Sequence, residues 1–332
     1  MASLILVTGG AGFIGSNIVK RLAARGEADI VVCDWLGAAD EQKWRNIAHH
    51  DVADIVAPET VFDFLDKAGG DVRAIVHMGA ISSTTETDVD KIVENNFRAS
   101  KRIWDWAATH KAPLIYASSA ATYGGGEHGF VDSNDPAEMS TLRPLNAYGW
   151  SKKIFDLYAL REAGRGHAPP LWSGLKFFNV YGPNEQHKGA QKSVVAHMHP
   201  RVAAGEAVRL FRSHNPQYKD GGQLRDFIYV RDCVDIVEWL LAQEKQGGVV
   251  NVGTGQARSF ADLAGALFAA LNKPARIEYV DTPEDIRAKY QYFTQADVSR
   301  LRALGYGGQF TPIEQGVADY ALNYLGQDDP HA

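Results

Sequence analysis

A tyrosine and a lysine stand four residues apart in the motif YGWSK, which runs from Tyr148 to Lys152. On a helix the two side chains project from one face, because residues i and i+4 are neighbours there. A nearby ammonium group favours the phenolate, so Lys152 would lower the pKa of Tyr148 and let it take a proton from a secondary alcohol. Ser119, at the end of a predicted strand, would hydrogen-bond the reacting oxygen. The three residues predict the proton transfer that accompanies hydride transfer.

A glycine-rich turn stands near the start of the chain, in the motif GGAGFIG that runs from Gly9 to Gly15. Gly9 permits a tight turn after the first strand, Gly12 lets a pyrophosphate approach the backbone, and Gly15 allows the following helix to pack closely on the sheet. The helix N-terminus would stabilise the phosphate charge. Asp34 ends the next strand about twenty residues later, where a ribose hydroxyl would lie. The motif therefore predicts dinucleotide binding.

The type of dinucleotide stays open at this stage. Asp34 by itself favours NAD, because a carboxylate repels the 2′-phosphate of NADP. Lys43 and Arg45 follow within a dozen residues and would neutralise that phosphate if they faced it. They are equally well interpreted as solvated surface charges.

Short apolar strands alternate with longer amphipathic stretches in the first half of the chain. The predicted strands are 4–7, 30–33, 74–77 and 114–117, and the predicted helices are 15–25, 60–68, 91–110 and 147–161. This alternation predicts an α/β fold, a doubly wound parallel (Rossmann) sheet with helices on both faces. Ser119 would then lie at the sheet edge where open α/β folds bind ligands.

Beyond about residue 174 the pattern becomes irregular, and prolines and paired glycines separate the elements. Strands are predicted at 175–180 and 226–229, and helices at 231–241 and 260–271. We interpret this half as a smaller α/β substrate-binding domain. The predicted division gives 1–178 plus about 226–257 to the Rossmann domain, and about 179–225 plus 258–332 to the substrate domain.

The composition argues against several classes of protein. The chain has 332 residues, of which 45% are hydrophobic and 22% are charged, and its net charge is -6. Such a chain is not expected to bind nucleic acid, which needs a basic surface. The first ten residues resemble neither a signal peptide nor a membrane span, and Cys33 and Cys233 show no metal-ligand spacing. We therefore expect a cytoplasmic protein with reduced core thiols, no bound metal and no membrane association.

Five stretches of sequence together carry a resemblance to a known family. They are VTGGAGFIGSNIVK at 7–20, GA at 79–80 with SSTTE at 82–86, YASSAATYGG at 116–125, FNVYGP at 178–183 with HKG at 187–189, and FTQAD at 293–297. Over almost its whole length the chain resembles the extended short-chain dehydrogenase/reductase family, which includes sugar-nucleotide epimerases and dehydratases. The SSTTE and HKG segments discriminate most, since general sugar epimerases lack that combination.

The resemblance implies an isomerase, an NADP-dependent epimerase that inverts C6″ of ADP-D-glycero-D-manno-heptose to supply the heptose of the lipopolysaccharide core. In the implied cycle hydride leaves C6″, a ketone forms, the sugar end reorients, and hydride returns to the opposite face. Two faces need two proton-handling groups, which the family pattern matches to Tyr148 and to Lys188 of the HKG segment. A lysine in this role must be partly desolvated so that its pKa falls. The resemblance also implies a homo-oligomer, such as a pentamer.

The same matching implies a set of contact residues. The cofactor-binding residues would be Gly9, Gly12, Phe13, Ile14, Gly15, Asp34, Trp35, Lys43, Met78, Gly79, Ala80, Ile81, Ser82, Asn95, Lys152, Val180 and Lys188. The substrate-binding residues would be Ser119, Asn179, Ala190, His197, Phe211, Arg225 and Tyr290. Arg225 is the stronger phosphate candidate, since a guanidinium can bind phosphate through two parallel hydrogen bonds. His197 is equally well interpreted as an ordinary helix histidine.

Four features depart from the family pattern. Ala190 follows the HKG segment where the family commonly has a small hydroxyl residue, and Pro58 stands where a cofactor-side lysine is expected. Trp35 replaces a small polar residue beside the ribose site. The loop at about 212–224 is longer than the family's and lies beside the expected adenine-diphosphate site. The preferred nucleotide or sugar could therefore differ.

Other interpretations stay open. A UDP-hexose 4-epimerase of the same fold would keep Tyr148 and Lys152 but lack the HKG lysine. A non-catalytic NADP-sensing protein would keep the glycine turn and lose the tyrosine, so the intact set of Ser119, Tyr148 and Lys152 argues against it. For Lys188 the alternative is a phosphate-contacting or surface lysine.

Overall fold

The computed structural model describes residues 3–244, 247–287 and 290–332. In this part of the chain the strands are β1 (Leu4–Thr8), β2 (Asp29–Cys33), β3 (Asp54–Val56), β4 (Val72–His77), β5 (Leu114–Ser119), β6 (Trp172–Phe177), β7 (Asn179–Tyr181), β8 (Val208–Phe211), β9 (Leu224–Tyr229), β10 (Val249–Val252), β11 (Ala257–Ser259) and β12 (Ile277–Val280). The helices are α1 (Phe13–Arg25), α2 (Val61–Ala68), α3 (Val89–Ile92), α4 (Ala99–His110), α5 (Pro136–Thr141), α6 (Ala147–Gly164), α7 (Val194–Ala203), α8 (Val230–Leu241), α9 (Phe260–Ala270), α10 (Glu284–Arg287), α11 (Ser299–Ala303) and α12 (Ile313–Tyr320). The π-helical turns Val93–Arg98 and Ala321–Leu325 join α3 to α4 and extend α12.

The central sheet is parallel throughout, in the order β3-β2-β1-β4-β5-β6-β10. A parallel sheet is covered on both faces, so its strands must be apolar on both sides. Successive residues of β1 divide between the faces, because Leu6 packs with Trp104 and Phe155 whereas Val7 packs with Ile18. Helices α4 and α6 contribute to the first core, and α1 and α8 to the second. The predicted α/β class and Rossmann sheet are confirmed.

The strand order reverses between β1 and β4, at the point where open α/β sheets bind ligands. The chain segments that follow these two strands are tied together there. The Met78 N–H donates to the Thr8 carbonyl oxygen at 3.0 Å, and the Gly79 N–H donates to Thr8 Oγ1 at 3.1 Å. The sheet therefore brings the glycine turn and the stretch after β4 to one edge.

Two small sheets and three helices form the second part of the molecule. β9 pairs in parallel with β7 and antiparallel with β11, and β8 pairs in parallel with β12. Helices α7, α9 and α12 share a core with these strands, and Phe13 of α1 also belongs to it. The boundary proposed near residue 226 falls inside β9, and the division into two domains stays a prediction.

The chain leaves the central sheet at Phe178, where the sequence predicts one continuous strand over 175–180. β6 ends at Phe177 beside β10, and β7 begins at Asn179 beside β9. The Phe178 N–H still donates to Val252 of β10 at 3.0 Å. An apolar run does not reveal such a change of partner, because it carries no information on which strand lies beside it.

Both cysteines, Cys33 and Cys233, are buried and free of disulfide bonds. Burial raises the pKa of the Cys33 thiol to about 12. Among the described residues no helix is long and apolar enough to cross a membrane.

Candidate active site

The glycine turn touches the chain that follows β4. Gly9 has a left-handed φ of +65°, and a Cβ at this position would lie 2.6 Å from the Gly79 amide nitrogen. A Cβ on Gly15 would collide with the Gly9 carbonyl oxygen, so only glycine lets α1 start this close to the turn. Gly12 is the N-cap of α1, and no side chain caps the helix. The first N–H groups of α1 thus keep their capacity to bind an anion, which fits the pyrophosphate of a dinucleotide.

Asp34 lies one residue beyond β2, at the ribose end of the same crevice. Its Oδ2 accepts a hydrogen bond from the Ala11 N–H at 3.0 Å, and its Oδ1 accepts one from the Lys43 ammonium at 2.7 Å. Lys43 also donates to the Trp35 carbonyl oxygen at 2.7 Å. Trp35 is 47% exposed, and its indole N–H donates to Glu59 at 2.7 Å. Lys43 neutralises Asp34, while Glu59 brings a second carboxylate close by.

The stretch 78–82 is held by a buried asparagine that the sequence analysis did not select. The side chain of Asn96 accepts from the Ile81 N–H at 2.8 Å and donates to the Ile81 carbonyl oxygen at 2.9 Å. It also donates to Ser151 Oγ at 3.0 Å, which joins this stretch to α6. The selected neighbour, Asn95, is half-buried and donates to a carbonyl of its own helix. Its contact with a cofactor stays a prediction.

A signal for Asn96 was present in the helix periodicity. Ile92, Asn96 and Ser100 are spaced by four residues and are all buried. Extending the apolar face of this helix would have placed Asn96, rather than Asn95, toward the interior.

Tyr148 and Lys152 lie one turn apart on α6, as the motif spacing predicts. Asn146 caps the helix, since its Oδ1 accepts the Gly149 N–H at 2.8 Å. A Cβ on Gly149 would lie 2.6 Å from a carbonyl oxygen of the turn that follows Ser119. Glycine therefore lets the start of α6 approach the end of β5, which places the tyrosine beside the serine.

The pKa of Tyr148 differs from the expectation that Lys152 lowers it. Burial raises the pKa of Tyr148 above its usual value, and the nearby Ser119 hydroxyl opposes this rise. Lys152 is 3% exposed, and burial lowers its pKa to about 8 while Asp156 opposes the fall. The structure thus places a buried phenol, whose pKa is raised, beside a buried lysine, whose pKa is lowered.

A buried ion pair supports the catalytic helix from the sheet side. Asp156, one turn beyond Lys152, accepts a hydrogen bond from the ammonium of Lys176 on β6 at 2.7 Å, and both side chains are fully buried. Asp156 also accepts from the Tyr116 hydroxyl at 3.0 Å and from Ser118 Oγ at 2.7 Å. These bonds fix α6 against β5 and β6. Sequence reasoning missed Asp156, although it continues the four-residue spacing of the YGWSK pair.

Lys188 lies on the 3-10 helical segment Gln186–Gln191, which is broken by a positive φ of 55° at Gly189. Its ammonium lies 5.1 Å from the centre of the Phe13 ring, over the first residue of α1. Burial lowers the pKa of Lys188, and the buried carboxylate of Glu185 opposes this fall. The partial desolvation expected of a lysine base is therefore present, and the side chain reaches the glycine turn.

Three predicted substrate residues come together beside β8 and β9. Arg225 is 8% exposed, and its guanidinium lies 5.6 Å from the ring centres of both Phe260 and Tyr290. Phe211 packs edge-on against Tyr290 with ring centres 6.0 Å apart. Burial lowers the pKa of Arg225, and the neighbouring tyrosines oppose the fall. A buried cation between aromatic faces is suited to an anionic group that carries a flat ring.

Two residues that the sequence analysis did not select extend this aromatic cluster, Tyr218 from the long loop at 212–224 and Tyr292 from the chain beyond α10. Tyr218 packs against Tyr292 with ring centres 5.2 Å apart, and Tyr292 packs against Tyr290 at 5.4 Å. The Tyr292 hydroxyl accepts the His214 N–H at 2.9 Å, which fixes the loop. For Tyr218 the signal lay in the loop itself, since a tyrosine within an insertion beside the expected site is a candidate for ligand contact.

The other predicted positions are more scattered. His197 on α7 hydrogen-bonds through Nε2 with the Ala190 carbonyl oxygen at 3.2 Å, so these two residues lie together near the end of the Lys188 segment. Asn179 of β7 accepts a long hydrogen bond from Thr294 at 3.4 Å. Val180 is partly buried and packs against two cores, the one between α1, α8 and the central sheet and the one formed by α7, α9 and α12. Their roles toward a substrate or cofactor stay predictions.

A doubly wound sheet with a glycine turn at its switch point and a Tyr-Lys pair on the helix after β5 defines a dehydrogenase-like enzyme that binds a nicotinamide dinucleotide. Residues 5–253 match the family model described as "NAD dependent epimerase/dehydratase family", and the chain belongs to that family.

Among its relatives, a protein of Nitratidesulfovibrio vulgaris is 48% identical over 330 residues, which cover 99% of this chain and 100% of the relative. A protein of Fusobacterium nucleatum is 43% identical over 336 residues, with 99% and 100% coverage. Both are named ADP-L-glycero-D-manno-heptose-6-epimerase.

The fold is also similar to those of solved structures. The Helicobacter pylori enzyme of that name has a TM-score of 0.77 at 28% identity, and the alignment covers 96% of this chain and 95% of that one. MoeE5 in complex with UDP-glucuronic acid and NAD has a TM-score of 0.71 at 26% identity, with 95% and 96% coverage.

Proposed function

We propose that the protein is an ADP-L-glycero-D-manno-heptose 6-epimerase, which inverts C6″ of ADP-D-glycero-D-manno-heptose to supply the heptose of the lipopolysaccharide core. The observation that carries this proposal is the position of Lys188. Its partly desolvated ammonium lies over Phe13 at the start of α1 and gives the site a proton-handling group besides Tyr148. Relatives with 43% to 48% identity over their full length carry the name of this activity.

The reaction is an inversion with no net oxidation. A bound nicotinamide dinucleotide supplies a reversible acceptor for the hydride of C6″. The secondary alcohol loses its proton to one side chain and becomes a ketone, and after the sugar end turns, the ketone regains hydride on its other face and a proton from the second side chain. The first side chain then releases its proton to solvent and the second takes one up, which restores both groups. Tyr148 serves one face through its phenol oxygen, and Lys188 serves the other through its amine.

The remaining residues hold these two groups in place. Ser119 hydrogen-bonds the reacting oxygen at the end of β5, where it also accepts the Ala121 N–H at 3.1 Å. Lys152 binds and orients the cofactor ribose and supplies positive charge beside the phenol. Arg225 binds the diphosphate of the substrate, while Phe211 and Tyr290 line the nucleotide.

For the cofactor we propose NADP, with NAD as the alternative. Lys43 supports NADP, because its ammonium lies 2.7 Å from Asp34 and cancels the charge that would repel a 2′-phosphate. The Glu59 carboxylate beside Trp35 favours NAD instead.

Replacing Lys43 tests this choice. We expect Lys43→Met to weaken NADP+ binding roughly tenfold and NAD+ binding much less, because only NADP+ needs the cancelled charge. Calorimetric titration of both cofactors checks this. An equal loss of affinity for NADP+ and NAD+ would show that Lys43 is not the source of a preference for NADP.

We also propose a cytoplasmic homo-oligomer, with a pentamer as the assembly to test first, and a substrate domain formed by about 179–225 plus 258–332. Sedimentation of the purified protein measures the assembly. A monomer at micromolar concentration would contradict the oligomer.

The substrate is tested by incubating the purified protein with ADP-D-glycero-D-manno-heptose and following C6″ by NMR, with UDP-glucose as a second arm. We expect conversion to a mixture of the two heptose epimers and no conversion of UDP-glucose to UDP-galactose. Turnover of UDP-glucose alone would overturn the proposal and leave the family unchanged.

A further inference from the structure

The position of Lys188 is not explained by its own secondary structure. The segment Gln186–Gln191 is six residues long and is interrupted at Gly189, so it has no continuous helical ladder. Nevertheless, the Lys188 ammonium is placed 5.1 Å from the Phe13 ring centre. Something outside the segment must hold it against the start of α1.

Asn184 lies four residues before Lys188 and is fully buried, with a left-handed φ of 74°. Its side-chain amide donates to Ser16 Oγ in the first turn of α1 at 2.9 Å. Its side-chain oxygen accepts the Ala332 N–H at 2.7 Å. One side chain thus connects the segment that precedes Lys188 to α1 and to residue 332.

Two further asparagines join the same segment to the glycine turn. Asn46 is 1% exposed, and its amide donates to the Asn184 carbonyl oxygen at 3.2 Å and to the Ala11 carbonyl oxygen at 2.8 Å. The Asn17 amide donates to the Pro183 carbonyl oxygen at 3.1 Å. The contacts of Asn46 with Ala11 and of Asn184 with Ser16 end on the turn and on α1, whose first residue packs under Lys188, and Asn46 Nδ2 also lies 3.2 Å from His187 Nδ1. Among the three asparagines, Asn184 lies closest to Lys188 in the chain.

We propose that Asn184 is a positioning residue that locks the Lys188 segment onto the first turn of α1 and so holds the lysine amine at the cofactor turn. The role of that amine as a base rests on the proposed function, but its position does not. A buried amide with both its ends paired specifies one arrangement, because any shift leaves a buried polar group without a partner.

The test uses a substitution that leaves the backbone unstrained. Glycine adopts a positive φ as readily as asparagine, so Asn184→Gly removes the two side-chain bonds and keeps the turn. The matched control is Asn272→Gly, since Asn272 also has a positive φ, of 53°, but is exposed at the end of α9. Ser16→Ala removes only the partner on α1.

The primary measurement is the rate at which Lys188 is acylated as a function of pH, read by mass spectrometry on the holoenzyme with the exposed Lys273 as reference. Burial lowers the pKa of Lys188, Glu185 immediately before the segment opposes this fall, and His187 is the titratable neighbour on the segment itself. Asn184→Gly frees the amine from the Phe13 face, so its apparent pKa moves up toward the usual lysine value. Asn272→Gly leaves the profile unchanged.

Turnover gives the second measurement. We expect Asn184→Gly to lower kcat for the heptose epimerisation roughly 10- to 100-fold, as a misplaced catalytic group does, with little change in the dissociation constant for ADP. Ser16→Ala has a smaller effect in the same direction, and the double variant is no worse than Asn184→Gly.

An unchanged acylation profile and unchanged kcat in a folded Asn184→Gly would overturn the positioning role. If that variant does not fold, an unchanged profile in Ser16→Ala overturns it instead. A wild-type protein that fails to epimerise the heptose, while Asn184→Gly still shifts the Lys188 profile, would sink the proposed function and leave the positioning role standing.

Discussion

The two proposed proton-transfer groups are held in opposite ways. Tyr148 lies on an 18-residue helix that is capped by Asn146 and fixed to the sheet by the Asp156–Lys176 ion pair. Lys188 lies on a six-residue turn that is held by neutral amide contacts, of which Asn184 provides two. The Tyr148 region is thus anchored by a buried ion pair, whereas the Asn184 contacts of the Lys188 region are neutral hydrogen bonds, beside a buried Glu185 carboxylate that accepts hydrogen bonds from Ser193 and Tyr320.

This difference has an energetic consequence. Breaking a buried ion pair leaves an uncompensated charge in the interior, which costs far more than losing a neutral hydrogen bond. Substitutions in the Tyr148 region should therefore reduce the stability of the whole fold. Substitutions that remove the neutral Asn184 contacts should leave the fold in place and change chemistry or binding.

The largest expected effect is that of Asp156→Asn. It leaves the Lys176 ammonium buried without its carboxylate, so we expect the free energy of unfolding to fall by about 3–5 kcal/mol. Asn184→Gly should cost only about 1–2 kcal/mol. Urea unfolding measures both.

The double variant Asp156→Asn with Lys176→Met is the control, because it removes both charges and should recover much of the loss. Equal costs for Asp156→Asn and Asn184→Gly would contradict the contrast between the two regions.

The two regions also differ in how far the sequence could predict them. The alternation of strands and helices, the glycine turn and the Tyr148–Lys152 spacing are local patterns, and the structure places each of them where a local pattern requires. Asp156 and Asn96 continue helix faces that were already recognised, so a complete reading of those faces would have found them.

Lys188 could not be found in that way. It is a single lysine on an irregular segment, and only the resemblance to a known family selected it. Asn184 had no local signal, because its partners Ser16 and Ala332 are 168 and 148 residues away in the chain. Long-range pairing of this kind depends on the folded arrangement of both halves. The change of sheet at Phe178 was missed for the same reason.

A smaller effect is expected from two histidines, the buried His77 and the partly buried His187. His77 is buried between Thr8 and Ser100, and burial lowers its pKa to about 3, with Lys152 adding to the fall. The folded protein therefore stays unprotonated at His77 as pH falls below the usual histidine value, while the unfolded chain takes up the proton. Stability is lost between about pH 6 and 4, by roughly 2 kcal/mol from this group.

The variants His77→Gln and His187→Gln compare the two regions. Burial lowers the pKa of His187 to about 4, but this residue is only partly buried and contributes less. Unfolding midpoints from pH 4 to pH 7 should show a flatter profile for His77→Gln than for His187→Gln. A steeper profile for His77→Gln would contradict the assignment of the acid loss of stability to His77.

The smallest expected effect concerns the aromatic loop on the substrate side. Tyr218 packs against Tyr292 and extends the cluster around Arg225. We expect Tyr218→Ala to weaken ADP binding by about 1 kcal/mol, because the ring adds one aromatic face for the base, and Tyr218→Phe to retain the affinity of the wild-type protein. Calorimetric titration with ADP checks both. Unchanged affinity in Tyr218→Ala would exclude the loop from nucleotide binding.

The central claim is that Tyr148 and Lys188 serve opposite faces of one carbon, and a single-turnover measurement tests it most directly. Tyr148→Phe and Lys188→Met holoenzymes are each mixed with the D-glycero and with the L-glycero epimer, and reduced nicotinamide is followed by its absorbance. We predict that each variant oxidises one epimer and not the other, with the two variants complementary. Oxidation of both epimers by Lys188→Met, with normal epimerisation, would contradict the two-group account.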